Sequence, residues 1–438
     1  MLHGTSVIKE NGHLEIGGVD TVDLANDFGT PLYVYDVAHM RRQARDFRKA
    51  FLDHGVTGQV AYASKAFSCV AMVQLMDEEK LNLDVVSGGE LYTALSAGFP
   101  PERIHFHGNN KSREEIEMAV KAGIGCFIAD NFHELHLLEE ASRQYGKQIT
   151  LLLRTTPGVE AHTHEYIATG QEDSKFGFNL GSGQLYEALA YVQSRSAFEC
   201  LGLHCHIGSQ IFDAHGFEMA VQKIYDELGR RNDQLGFAPQ VLNLGGGFGI
   251  RYTEGDTPQT AEHYVGAMIE AVKKESLRLG FSVPEIWIEP GRAIAGNAGT
   301  TLYTVGSQKE IPDVRKYLAV DGGMSDNLRP ALYDAKYEGM LANRGLEPSK
   351  QNISVAGKCC ETGDMLIWDL ALPDVHSGDL LAVFSTGAYG YSMANNYNRL
   401  PRPAVVFVED GNARLVVRRE TYEDLIQLDL PLKQTIVP

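Results

Sequence analysis

Long apolar runs are missing from this 438-residue chain: nothing approaches the roughly 18 consecutive apolar residues of a membrane span. Basic residues are short as well, with 39 Lys and Arg against 57 Asp and Glu, a formal net charge of −18 at pH 7. Such a surface repels polyanions, which argues against nucleic acid or an anionic membrane as the main partner. Cysteine is sparse. Cys69, Cys126, Cys200, Cys205, Cys359 and Cys360 are too few and too scattered for a disulfide framework. The opening MLHGTSVIKENGHLEIGG has no basic segment followed by an apolar run, so it does not read as a secretory signal. No low-complexity linker interrupts the chain. These absences point to a cytoplasmic globular protein, long enough for one large barrel and a second domain.

What is present, in a chain 44% hydrophobic, is a recurring pattern of short apolar, β-branched runs with helical stretches between them. Strands are expected at Val60–Ala63, Leu83–Val86, Ile104–His107, Cys126–Ala129, Ile149–Leu153, Cys200–Cys205, Val241–Leu244 and Ile286–Ile288. A helix is expected before each. In the first, over Val37–Leu52, Met40, Ala44, Phe47 and Phe51 fall on one stripe between charged faces. Eight such units are the count of an α/β fold of the (β/α)8, TIM-like barrel type, here over residues 31–297. An open doubly wound sheet is the alternative, but it rarely reaches eight evenly spaced units. After Gly296 the runs TTLYTVGSQKE, KYLAVDGG, ISVAGKCC, DLLAVFSTGAYG, PAVVFVED and ARLVVRRE alternate with turn residues. They predict a mostly β domain over 298–438, joined by the strand-like segment 1–30.

In such a barrel the reactive groups stand just past the C-terminal ends of the strands. That rule places Lys65 after strand one, Asp84 in strand two, Arg154 after strand five and LHCHIGS at strand six. Gly245, Gly246 and Gly247 follow strand seven, and Glu289-Pro290-Gly291-Arg292 follows strand eight. Backbone amides of a glycine triplet approach an anion closely, and an arginine one strand later adds a fixed positive fork. A lysine, a phosphate cup and a carboxylate are the three things pyridoxal phosphate needs: an attachment amine, an anchor and a partner for its ring nitrogen. His204 and His206, two apart, point the same way. They suit either an imidazole on a cofactor ring or a metal site, a thought that His105/His107 and His162/His164 also invite. The bland readings are a solvated lysine and satisfied core histidines.

The motifs AYASKA, VVSGGEL, HFHGNNKS, GLHCHIGSQ, LNLGGGFGI, EPGR, KCCETGD and TGAYGYSMANNYN, in this order, give the chain its likeness. It resembles the fold-type III pyridoxal-phosphate decarboxylases along essentially its whole length, and among them the bacterial diaminopimelate decarboxylase family. The resemblance implies decarboxylation of meso-2,6-diaminopimelate to L-lysine and CO2 with pyridoxal 5'-phosphate, and no metal. It implies that Lys65 carries the cofactor. His206 stacks on its ring, with His204 as the other candidate, and Ser209, Gly246, Gly247 and Arg292 hold its phosphate. Glu289 meets the ring nitrogen. Cys360 then delivers a proton, Glu361 reads the substrate amine, and Arg329 and Tyr333 with Arg292 read the distal carboxylate. Tyr389 lies on the cofactor side. The family usually has Cys-Glu-Ser where this chain has Cys360-Glu361-Thr362, which keeps both functional side chains. Spacing does not say which of Cys359 and Cys360 faces the site. A head-to-tail homodimer with sites at its interface is also implied.

Other readings stay open at this point. They are a decarboxylase of ornithine, arginine or a carboxylated polyamine, a barrel racemase, a metal-dependent barrel hydrolase on His204 and His206, and a non-catalytic cofactor binder.

Overall fold

The computed structural model describes residues 2–159 and 173–432. It divides into two compact units, His39–Gly296 and a second made of Met1–Ala38 with Asn297–Pro438.

Each buried run of the first unit has a helix to cover it, and the runs pair in parallel. The eight strands are Gly58–Ala63, Asn82–Val85, Ile104–Phe106, Cys126–Ala129, Ile149–Thr156, Phe198–Cys205, Val241–Asn243 and Glu285–Ile288. Neighbours in sequence are neighbours in the sheet, and the eighth pairs with the first, Ile286 opposite Gly58 and Ile288 opposite Val60. The sheet is therefore closed, which excludes the open doubly wound alternative. In the first helix, Val37–Asp53, the expected stripe is buried: Met40, Ala44, Phe47 and Phe51 are at most 3% exposed. Caps end the helices where the sequence signals them. Ser112 and Glu115 form a capping box before Arg113–Ala122, and Gly123 closes that helix in the left-handed region at φ 75°.

The second unit contains a small antiparallel sheet, Val7–Ile8, Leu14–Ile16 and Val19–Asp20, and a nine-stranded sheet. The large sheet holds one strand that the barrel boundary at residue 31 had included. Leu32–Asp36 pairs antiparallel with Gly299–Ile311 and parallel with Ala404–Glu409. All five of its residues are buried, so apolar character alone did not distinguish it from a barrel strand. Gly339–Leu341 and Met365–Leu372 are further strands of this sheet that the reading of the sequence passed over. Thr21–Phe28 in the N-terminal segment is a helix, started by Asp20, whose carboxylate accepts the Val22 N–H at 2.8 Å. Among the described residues no helix is long and apolar enough to cross a membrane.

Candidate active site

Because the barrel strands are all parallel, their exits share one end of the unit. Lys65 sits in a single 3-10 turn, Ser64–Ala66, directly after the first strand, its side chain exposed between two buried neighbours. His206 and Ser209 follow strand six, Gly246 and Gly247 strand seven, and Glu289 and Arg292 strand eight. The structure thus gathers these seven predicted residues at the C-terminal mouth, where a barrel does its chemistry.

Arg292 is 6% exposed and donates to Ser209 Oγ at 2.8 Å and to the Tyr252 hydroxyl at 2.5 Å. A buried guanidinium held by hydroxyls is a corner for an anion. Gly246 donates its N–H to His206 Nδ1 at 3.2 Å, which leaves the ring proton on Nε2. Burial, with the positive charges of Lys65 and Arg154, holds His206 well below the ordinary imidazole range. A neutral ring is thereby kept at the mouth.

The glycines have a second reason to be there. A Cβ on Gly246 would stand 2.1 Å from the Glu289 carbonyl oxygen, and one on Gly247, at φ 105°, 2.3 Å from the Gly208 carbonyl oxygen. Backbone packing between strands forbids a side chain even before any phosphate is considered. Gly246→Ala is therefore expected to lower the melting temperature of the cofactor-free protein as well as its cofactor affinity. Overpacking of this kind costs about 1–3 kcal/mol. Thermal unfolding beside cofactor titration checks this, and an unchanged melting temperature would show that the two strands yield.

Glu289, 7% exposed, is gripped at both oxygens. Asn243 Nδ2 donates to Oε1 at 2.6 Å, and His204 Nε2 lies 3.2 Å from Oε2. His107 Nε2 lies 3.0 Å from Oε1. Burial alone would raise this carboxyl, but the imidazoles of His107 and His204 outweigh it and hold it well below the usual range. A buried, ionised carboxylate suits a protonated ring nitrogen. Asp84, by contrast, is pushed up to about 7, by burial first and then by the Glu289 charge, against the pull of His107.

His204 and His206 diverge, one to Glu289 and the other to Gly246, so they do not form the metal pair that their spacing offered. His107, His204 and Glu289 do bring three ligand atoms within 4.8 Å of one another. His204 Nε2 is already committed to the carboxylate, and the lysine and anion corner have no use in a hydrolytic metal site. Those residues fit pyridoxal phosphate instead. His162 and His164 lie outside the described residues.

The other predicted residues belong to the second unit. There DGGMSDN, KCCETGD and GYSMANNYN are tied together: Asp364 accepts the N–H groups of Met324 at 2.6 Å and Cys359 at 2.8 Å. The Cys360 N–H donates to Asn398 Oδ1 at 2.7 Å, and the Asn395 N–H to the Ser325 carbonyl at 2.8 Å. Cys359 is buried, and burial with the adjacent Asp364 raises its thiol to about 11; Cys360 and Glu361 are exposed. Arg329 opens the short helix Arg329–Tyr333, is 8% exposed and donates to the Tyr337 hydroxyl at 2.7 Å. Tyr333 and Tyr389 are half-buried, Tyr389 in the left-handed region at φ 60°. Reading the sequence by strand ends missed Asn243 and the contact of His107 with Glu289. Their only local signal is polarity at the tips of strands seven and three.

Residues 37–296 match the family described as pyridoxal-dependent decarboxylase, pyridoxal binding domain. The chain is 65% identical over 432 residues to the diaminopimelate decarboxylase of Bacillus subtilis, spanning 99% of this chain and 98% of that one. It is 49% identical to that of Staphylococcus aureus, over 95% and 98% of the two chains. The crystal structure of diaminopimelate decarboxylase from M. jannaschii in complex with L-lysine superposes with a TM-score of 0.92 at 36% identity, covering 98% and 99% of the two chains. By fold, by the groups at the barrel mouth and by these likenesses, the chain belongs to the diaminopimelate decarboxylase family of pyridoxal-dependent decarboxylases.

Proposed function

We propose that this protein decarboxylates meso-2,6-diaminopimelate to L-lysine and CO2 with pyridoxal 5'-phosphate, in the cytoplasm, as a homodimer with shared sites. The observation that carries it is the grouping at one barrel mouth of Lys65, the Arg292–Ser209 corner and an ionised, buried Glu289. When bound, the cofactor supplies an electron sink for the pair left behind as CO2 departs.

The chain's own residues do the rest. Lys65 is the attachment amine, and Arg292, Ser209, Gly246 and Gly247 anchor the phosphate. Glu289 keeps the ring nitrogen protonated, and the neutral imidazole of His206 covers one ring face. Cys360 delivers a proton to the α-carbon, its exposure and the burial of Cys359 favouring this choice of thiol. Glu361 accepts the distal ammonium, Arg329 with Tyr333 and Arg292 takes the distal carboxylate, and Tyr389 lines the cofactor side. Incubating the holoprotein with the meso isomer and measuring CO2 and L-lysine together tests this function; the formation of neither product would refute it.

Shared sites have their own test. Cys360→Ala alone should cost ~10²–10⁴-fold, the worth of a positioned acid. Mixed with Lys65→Ala under subunit exchange, it should regain roughly a quarter of wild-type activity, since half the dimers are mixed and each holds one intact site. Exchange without recovery would mean that each chain builds its own site.

A further inference from the structure

Among the buried titratable side chains at the barrel mouth that the chemistry above does not use, His107 stands nearest two carboxylates at once. His107 follows the third strand, and its backbone N–H is fixed to the Val85 carbonyl at 2.8 Å. Its side chain is 5% exposed, and Nε2 lies 3.0 Å from Glu289 Oε1 and 3.6 Å from Asp84 Oδ1. One nitrogen thus stands between two carboxylates from strands two and eight, within ion-pair distance of both but in hydrogen-bond geometry with neither. The ring packs edge-on against His204, with centroids 5.0 Å apart at 74°. His204 in turn holds the other Glu289 oxygen, so the two imidazoles flank one carboxylate.

We propose that His107 is a positioning residue, bridging Asp84 and Glu289 so that Glu289 stays aimed and ionised toward the ring nitrogen of the cofactor. This deepens the function proposed above and rests on it. Two carboxylates buried together disfavour each other's ionised form, because neither solvent nor distance screens them. A nitrogen placed between them offsets that repulsion and lets one carboxylate keep its charge while the other holds a proton. The opposite displacements of Asp84 and Glu289 follow that division. Asn243 fixes the remaining lone pair of Oε1, which leaves the carboxylate little room to swing away.

A satisfied core histidine would matter only to folding, and the test separates the two roles. His107→Leu should raise the cofactor dissociation constant and lower kcat, each by ~10–100-fold as outer partners of a functional group usually do. KM should change little, and the cofactor-free protein should melt near the wild type. The absorption spectrum of the bound cofactor should shift toward the form with an unprotonated ring nitrogen. His107→Gln, which keeps a donor of similar reach, should recover most of the loss. The decisive reading is a double-mutant cycle: with Asp84→Asn in place, the cost of His107→Leu in cofactor affinity should fall below about threefold. Should His107→Leu not fold, His107→Asn, whose donor is too short to reach Glu289, replaces it. A wild-type spectrum and affinity in the Leu variant would overturn the proposal, as would additive costs in the cycle or a metal ion that co-purifies and is lost with His107. A wild type that neither binds the cofactor nor releases CO2 would instead overturn the proposed function.

Discussion

Replacing Lys65 by Ala should take turnover to the limit of detection while leaving the fold in place. The side chain leaves a tight turn into solvent, whereas its neighbours Ser64 and Ala66 are buried and carry the packing. Nothing in the barrel core depends on it. What is lost is the amine proposed to attach the cofactor, so borohydride reduction should no longer fix the cofactor to the protein. Lys65→Arg should fail in the same way, because a guanidinium remains protonated and is not a nucleophile at any working pH. The check is mass of the borohydride-treated protein beside turnover and melting temperature. A variant that still fixes cofactor, or that loses its fold with its activity, would remove Lys65 from its assigned place.

How much of this was legible in the sequence depends on how local each feature is. The eight barrel strands stood out because each is a short β-branched run between helices, and only their ends moved, as at Ile149–Thr156, which runs past Leu153. Lys65, Gly246 and Arg292 were legible because a parallel barrel places every strand exit at one end. Leu32–Asp36 was not, since a buried strand reads alike whichever sheet receives it. Met365–Leu372 was passed over because it is amphipathic without strict alternation, with Trp368 57% exposed beside Asp369. The grip on Glu289 was invisible for a stronger reason. His107, His204 and Asn243 come from strands three, six and seven, and only closure of the barrel brings them to one carboxylate. Burial likewise separated Cys359 from Cys360, which spacing left equivalent.

Substrate choice should show the other large effect. The meso substrate carries an amino and a carboxylate group at each end, and Arg329 is the buried cation proposed for the distal carboxylate. Ornithine and lysine have one carboxylate, so placing it at the cofactor for decarboxylation would leave the distal end without an anion for the Arg329 guanidinium. A site built around such a polar group rejects the analogue lacking it by ~10⁴–10⁵ in kcat/KM. The two substrates and L-lysine should therefore differ by that order on one preparation. Arg329→Ala should raise KM for the meso isomer and narrow the gap from above, since the short analogues never used the contact. Comparable kcat/KM for ornithine and diaminopimelate in the wild type would move the specificity elsewhere while leaving decarboxylation intact.

The most direct measurement of the central claim is a single incubation of the holoprotein with meso-diaminopimelate in deuterium oxide. Decarboxylation at one stereocentre, followed by proton delivery to the same carbon, gives one CO2 and one L-lysine per turnover. That lysine should carry a single solvent deuterium on the carbon that lost the carboxyl group, with the remaining α-centre unexchanged. L-lysine free of deuterium at that carbon, or deuterium washed into recovered diaminopimelate with no CO2, would contradict the account; the second would describe a racemase.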